Sequence, residues 1–482
     1  MNTYRPHFFM IFKTFFRLLF LLLFPFIRIL FSFKDINAWF QVLTMEIILI
    51  CIIILFSFFK WFYSYYYIDN DTFCYTHGIF IKKTDYFPSK NIAASDISSN
   101  PFFMIFRALV IQFDTIGGLG NKFDFKILIY QNQLPYIKEC ISIKSKAELK
   151  HNIPIYKPKF YNILLLSLSS SNFALGFLLS YAFLSKMSKI TGEYLSKLIF
   201  DTLNEFSQKA LFGIPPAISF LGYLFLLGWG ISFISLLLKY SRFSLYNEKN
   251  NLNIIRGVFW EHNYVIKKNH INTVKVRQTL FMKILGICSI YVKCAGFGKQ
   301  KGELSVIIPC IEEFEIEEYT LKVFPNIKSK NPSLKPNEKA HFRFLFTPLL
   351  YITLTFTAGV IGNSFLSNIL KTETTIILWT AFFIIIFCLW WLIIRELTYR
   401  YSGISIGEKE IILNRGKILG IESIFIPREK IQKIIISQNI FQRFNKICDI
   451  TITALSSDGE KYKVKNLDLE KSKALFNMSK TN

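Results

Sequence analysis

Apolar residues gather in six blocks that fall into three pairs: about Phe15 to Phe33 with Leu43 to Tyr63, Tyr161 to Leu184 with Phe212 to Leu238, and Phe344 to Leu366 with Thr374 to Ile394. The hydrocarbon core of a bilayer needs about 20 apolar residues per helix. Five blocks reach that length, and the pattern predicts six transmembrane helices in three hairpins. The first block is the weakest, because Arg17 and Arg28 bracket a short run that contains Pro25. A helix lying in the membrane interface is the alternative there.

Between the pairs, and after the last, the texture changes. Residues 64–159, 241–342 and 397–482 are rich in Ile, Val, Phe, Tyr and Thr and carry Gly and Asn turn signals. Ser289 to Cys294 and Asp449 to Ala454 alternate as half-buried strands do. Leu252 to Val258 reads as a strand running into a turn at Gly257. Leu469, Leu475, Phe476 and Met478, spaced among lysines, predict a closing helix. The organisation expected is an N-terminal segment and hairpin (1–63), a β-rich domain (64–159), a hairpin (160–240), a second domain (241–342), a hairpin (343–396) and a third domain (397–482).

The three polar regions are copies of one another. A glycine follows the first strand in each: Gly78, Gly257 and Gly416. Each is expected at a turn that requires positive φ. Further on comes a block ending in Ile: Phe87-Pro88-Ser89-Lys90-Asn91-Ile92, Ile266-Lys267-Lys268-Asn269-His270-Ile271 and Ile426-Pro427-Arg428-Glu429-Lys430-Ile431. Pro88 and Pro427 are expected at the entry of the following strand. Copies two and three then match without a gap, pairing Gln278 with Gln438, Phe281 with Phe441, Lys283 with Arg443, Ile287 with Ile447 and Cys288 with Cys448. The first copy keeps the outline through Phe102, Ile105 and Leu109 to Phe113.

This unit, a helical hairpin followed by a β domain and used three times, resembles the bacterial pleckstrin-homology-like, or membrane-flanked, domain proteins. The Arg-Gly turn, the Ile-Pro-Arg-Glu-Lys-Ile-Gln block at 426–432 and the Gln…Phe…Arg/Lys…Ile-Cys stretch carry the likeness, which covers nearly the whole chain. The resemblance implies a barrel-like antiparallel sheet closed by a C-terminal helix in each copy. It implies no established activity, and by analogy it points to envelope stress or tolerance of membrane-active peptides. Copy one departs most: His77 precedes Gly78, and Ile92-Ala93 stands where copy three has Ile431-Gln432.

Charge refines the picture. The net charge is +24, which in a membrane protein reads as the positive-inside bias plus attraction to anionic headgroups. With no nucleic-acid module in view, nucleic acid is not an expected partner. Lys60, Lys157, Lys159, Lys239, Arg242, Arg343, Arg395 and Arg400 flank the blocks on the domain side. Both termini and all three domains are therefore expected to be cytoplasmic, in a bacterial cell membrane. The eight cysteines (Cys51, Cys74, Cys140, Cys288, Cys294, Cys310, Cys388 and Cys448) form no C-x-x-C pair, as suits a reducing compartment.

The chemistry expected is sparse. Gly117-Gly118-Leu119-Gly120-Asn121 lacks the Lys-Ser/Thr of a phosphate loop and reads as a turn between strands. His7, His77, His151, His262, His270 and His341 keep no metal-ligand spacing, so His262 and His270 read as solvated or turn residues. Glu312 to Glu318 is a charge run whose ordinary meaning is a solvated face. No enzyme, metal or cofactor is expected. Lys267, Lys268, Lys275, Arg277 and Lys283 make copy two the most basic, and with Arg428, Lys430 and Arg443 they are the candidate lipid-headgroup or partner contacts. The function expected is a non-enzymatic membrane scaffold that self-associates or holds another membrane protein. The alternative is a lipid-handling protein or transporter built on six spans.

Overall fold

The computed structural model describes residues 3–22, 36–116, 123–141, 153–170, 201, 205, 216–248, 250–294, 306–324, 332–366, 374–417, 420–455 and 461–478. Helix α1 (Phe9–Leu18), a 3-10 turn (Leu19–Leu22) and α2 (Ile36–Phe62) come first. Copy one follows: β1 (Tyr65–Asp69), β2 (Thr72–His77), β3 (Lys83–Pro88), β4 (Ile92–Ser99), α3 (Pro101–Ile105), β5 (Ala108–Thr115), β6 (Phe125–Tyr130) and α4 (Leu134–Ile141). Then come α5 (Phe160–Ser170) and α6 (Pro216–Tyr240). Copy two has β7 (Ser244–Asn247), β8 (Asn251–Arg256), β9 (Glu261–Lys267), β10 (Ile271–Thr279), α7 (Leu280–Ile284), β11 (Ile287–Cys294), β12 (Val306–Glu312) and α8 (Ile316–Val323). After α9 (His341–Leu366) and α10 (Thr374–Tyr401), copy three has β13 (Gly403–Ile406), β14 (Glu410–Lys417), β15 (Gly420–Pro427), β16 (Ile431–Ser437), α11 (Ile440–Phe444), β17 (Ile447–Ala454), β18 (Lys461–Asp468) and α12 (Leu469–Met478).

The repeat is visible as local physics. Asn100, Thr279 and Asn439 occupy one position in the three copies, and each side chain accepts a hydrogen bond from the backbone of the short helix that follows. Such caps satisfy otherwise orphaned donors. Arg107, Gly286 and Lys446 occupy a second shared position, each at positive φ (51°, 65° and 51°), where the chain leaves that helix for the next strand. Gln278 and Gln438 also act alike, donating to the carbonyls of Ile287 and Ile447 at 3.3 and 2.7 Å. The block before Ile92, Ile271 and Ile431 closes one strand and passes through a 3-10 turn (Ser89–Asn91, Lys268–His270, Arg428–Lys430). Pro88 and Pro427 therefore end β3 and β15, where a missing N–H costs no ladder bond, rather than opening the next strand.

The glycine expectation holds at two of three sites. Gly78 (φ +117°) and Gly257 (φ +96°) lie in tight turns, where a Cβ would fall 2.0 Å from the carbonyls of Ile81 and Trp260. Gly416 lies within β14 instead, and the close neighbour is α10: a Cβ there would fall 1.8 Å from the Thr398 hydroxyl. The same residue type serves a turn in two copies and a helix contact in the third.

Copies one and three bury their cores between two sheets. Tyr66, Phe73, Phe113, Phe125 and Ile127 of copy one pack with Ile137 of α4. Leu413, Ile426, Ile450, Ile452 and Tyr462 fill copy three, with Leu469 of α12 against them. The segment preceding each adjacent helix stitches the edges of these sheets. Tyr4 bridges Tyr66 and the His7 amide donates to Leu128, while Leu334 bridges Ile404 and Pro336 bridges Leu467.

The sheets themselves run across the copies. One six-stranded sheet has the order β6-β5-β4-β9-β8-β7, and another β12-β11-β10-β15-β14-β13. Among the described residues, the sheets β1-β2-β3 and β16-β17-β18 each hold strands of one copy only. Two compact units result. One takes in Met1–Pro154, Leu245–Ile271 and Cys294–Glu303, and the other Ile155–Ser244, Asn272–Lys293 and Leu304–Asn482. The two sheets of copy two thus belong to different units.

The expectation of six transmembrane helices in three pairs is corrected. Among the described residues, two helices are long and apolar enough to cross a membrane, His341–Ser364 and Thr380–Tyr401, with only 17% and 11% of their apolar windows covered by protein. They form one pair, in which Gly359 allows close approach to Ala381 and Tyr351 packs on Trp391. In the other blocks a few apolar residues are buried, among them Ile53, Ile163, Leu166 and Leu224, while Ile47, Ile52 and Leu226 are exposed. Helix α1 has ten residues, carries Lys13 and Arg17, and seats Phe9 on Phe106. The described helix α5 has 11 residues, shorter than a span, and Phe243, just after α6, packs on Tyr240 and Tyr156. Hydropathy reports removal from water, and it does not distinguish lipid from protein. The parts of the expected spans at 23–33, 171–184 and 212–215, and the glycine-rich 117–121, lie outside the described residues.

Candidate interaction surface

The functional geometry lies at the two seams where strands of different copies pair. In the first seam β4 pairs antiparallel with β9, setting Ser95 opposite Val265, Asp96 opposite Tyr264 and Ser98 opposite His262. Asp96 is fully buried. Its carboxylate accepts from Gln112 Nε2 at 2.6 Å and lies 3.0 Å from His262 Nδ1. The Tyr264 hydroxyl lies 3.2 Å from that ring nitrogen and accepts from Arg256 Nη2 at 2.9 Å. Lys267 Nζ closes the seam by donating to the Ser89 carbonyl at 2.6 Å. A buried charge without such partners would cost several kcal/mol.

In the second seam β10 pairs with β15, setting Val274 opposite Phe425 and Arg277 opposite Glu422. Glu422 is almost wholly buried, with Lys417 Nζ at 2.7 Å and Arg415 Nη2 at 3.2 Å. Burial alone would raise its pKa. The Lys417 hydrogen bond and the charges of Lys417, Arg415 and Lys275 outweigh burial and hold the carboxyl below its ordinary value. Lys275 also stands 4.9 Å over the Tyr462 ring.

The basic residues singled out from sequence do not act as one set. Lys267 and Lys268 sit at the end of β9 in the first unit, and burial pulls the Lys268 ammonium down. In the second unit, Lys275 and Arg277 come together at the β10–β15 seam around Glu422. Lys283 pairs with Glu313 at 2.5 Å. Burial pulls the Lys283 ammonium down, but this pairing outweighs it and holds the group above the usual lysine value. Arg428 and Lys430 occupy the turn before β16, and Arg443 lies exposed on α11.

Sequence reading missed the acids. Asp96 and Glu422 are single carboxylates within apolar strands, and that isolation was their signal. His262, expected as a solvated or turn residue, is a strand residue bonded to Asp96. The Glu312 to Glu318 run divides between β12, a 3-10 turn and α8, with Glu313 and Glu318 paired to Lys283 and Lys322. Among the described residues, no group of three or more His, Cys, Asp or Glu is placed to hold a metal ion. Desolvation pushes up the thiols of Cys74, Cys288, Cys310 and Cys448, that of Cys310 to about 12.

A third surface is the short helix of each copy. In copy one Phe9 packs on Phe102 and Phe106, which remain 55% and 41% exposed, and in copy two Phe281 packs on Trp390 at 4.9 Å and is 45% exposed. In copy three Ile440, Phe441 and Phe444 are 70%, 69% and 82% exposed. Gln442, on the opposite side of α11, is anchored through Asp449 and Asn466 at 2.7 and 3.1 Å, which fixes the apolar side outward beside Arg443.

Comparison with known proteins agrees with the repeat. The bacterial PH domain model matches residues 18–139, 206–321 and 353–481. The UPF0699 transmembrane protein YdbT of Bacillus subtilis (strain 168) is 22% identical over 316 residues, covering 61% of this chain and 63% of that protein. The match therefore spans less than two thirds of that relative's length. No solved structure matches the chain. Three matched copies, each with the same capped turn and the same strand order, place this chain in the bacterial PH domain family.

Proposed function

We propose that this chain is a non-enzymatic membrane scaffold whose PH-like domains act by strand-edge assembly on the cytoplasmic face. The observation that carries the reading is the pair of seams: the chain already joins its own copies by adding the edge strand of one sheet to that of another. Helices α9 and α10, apolar and largely uncovered, supply the anchor. The relative's description as a transmembrane protein supports the same placement. The bilayer and a second protein chain are the partners, and withstanding envelope stress or membrane-active peptides is the setting; unchanged peptide sensitivity in a deletion strain would reject that setting. Native mass spectrometry of the chain in lipid nanodiscs tests the scaffold role. A homo-oligomer or a stoichiometric protein partner is expected, and a single chain under all conditions contradicts it.

A second reading, lipid-surface contact, is favoured by the outward Ile440, Phe441 and Phe444 beside Arg443. Aromatic and basic residues together suit the headgroup level of a bilayer. In the same spectra, anionic lipid retained by the chain and lost in Phe441→Ser/Phe444→Ser supports this role for α11, and equal retention rejects it.

A further inference from the structure

We propose that a second copy of this chain docks by adding its β3 to the open edge of β16, so that the internal seam is repeated between molecules. The proposal rests on the scaffold reading and names its partner. Its first support is a shared register. Ser95 opposite Val265 and Val274 opposite Phe425 are the same pair of repeat positions, as are Ser98 opposite His262 and Arg277 opposite Glu422. One rule of pairing therefore joins copy one to copy two and copy two to copy three. Carried forward once more, it sets Ile434 opposite Tyr86, Ile435 opposite Asp85, Ile436 opposite Thr84 and Ser437 opposite Lys83.

The second support is what the rule leaves over. β4 and β10 are used and largely buried, whereas β16, their counterpart, begins the lone sheet β16-β17-β18 and is exposed at Gln432, Lys433, Ile434 and Ser437. Similarly, β9 and β15 are used, whereas β3 ends the lone sheet β1-β2-β3 and is exposed at Lys83, Asp85, Tyr86 and Pro88. Among the described residues one strand of each kind is thus left with an open edge, and a heterologous contact between copies satisfies both. Open edges present unpaired backbone groups that template further pairing.

Side-chain chemistry agrees with this register. Ile434 (37% exposed) meets Tyr86 (64% exposed), an aliphatic–aromatic cross-strand pair, and Lys433 falls diagonal to Asp85. Lysine and proline often blunt an edge. Here Lys275 lies within a paired strand and Pro427 ends another, so Lys433 and Pro88 do not bar the contact.

Disulfide trapping between two differently tagged full-length chains, co-reconstituted in one bilayer, tests the register. One chain carries Tyr86→Cys and the other Ile434→Cys, with each single variant alone as the background for native cysteines. Oxidation is expected to link the mixed pair at least about tenfold more than Asp85→Cys with Ile434→Cys, because alternate residues point to opposite faces. Ile434→Lys, a change at an exposed site, is expected to reduce the oligomer without unfolding the chain. Equal linking in both registers, or none in either, overturns the proposal. If the chain still forms an oligomer or holds a partner, only the edge contact is lost. If it remains single, the scaffold reading falls with it.

Discussion

Gly420→Val is expected to part β15 from β10 and to cost about 3 kcal/mol of stability in the unit that holds them. A Cβ at Gly420 would lie 2.0 Å from the Gln278 carbonyl oxygen and 2.7 Å from Thr279 Cα, and both belong to the backbone of the paired strand. No rotamer change relieves a clash with backbone, so the strands must separate at the start of the seam, where Thr279 faces Gly420. The check is the denaturation midpoint of the full chain in detergent, with Gly230→Val beside it. A Cβ at Gly230, on α6, would meet nothing within 4 Å. A loss at Gly420 no greater than at Gly230 would mean that the seam does not carry stability.

Glu422→Ala is expected to cost about 3 kcal/mol, because it leaves Arg415, Lys417, Lys275 and Arg277 facing one another across a buried site. The figure sits at the low end for a broken buried pair, since Lys417 is half exposed and partly screened. The same group sets a pH dependence. Its folded pKa is depressed, so its contribution is complete above the unfolded carboxylate value, about 4.3, and is lost as pH falls through the lower folded value. The stability difference between the native chain and Glu422→Gln should therefore be constant near neutral pH and shrink toward acid. A difference that grows on acidification would contradict the assignment.

How much of this was legible depended on how local the signal was. The strands at 289–294 and 449–454 and the closing helix follow from neighbouring residues, and all are present. The triplication was legible for the same reason: Gln278 and Gln438 match in sequence because they make the same backbone bond. The seams were not legible, since strand partners are fixed by pairings between residues more than a hundred positions apart, such as Asp96 with Tyr264. The expected number of spans rested on block length, and length alone does not show which apolar residues face protein: within the second block Ile53 is buried while Ile52 and Ile54 are exposed. The basic residues illustrate the same limit. Lys275 and Arg277 read as a surface for headgroups, but the fold sets them beside a buried glutamate on another copy's strand.

Sheets that run across the copies must protect the strands inside them, and amide hydrogen exchange on the full chain, at a dilution where it is single, measures that protection. β4, β9, β10 and β15 are expected to exchange slowly, with β16 and β3, the same positions of the repeat, exchanging much faster. Exchange of β10 at the rate of β16 would mean that the seams do not persist in solution, and the scaffold account would lose its foundation.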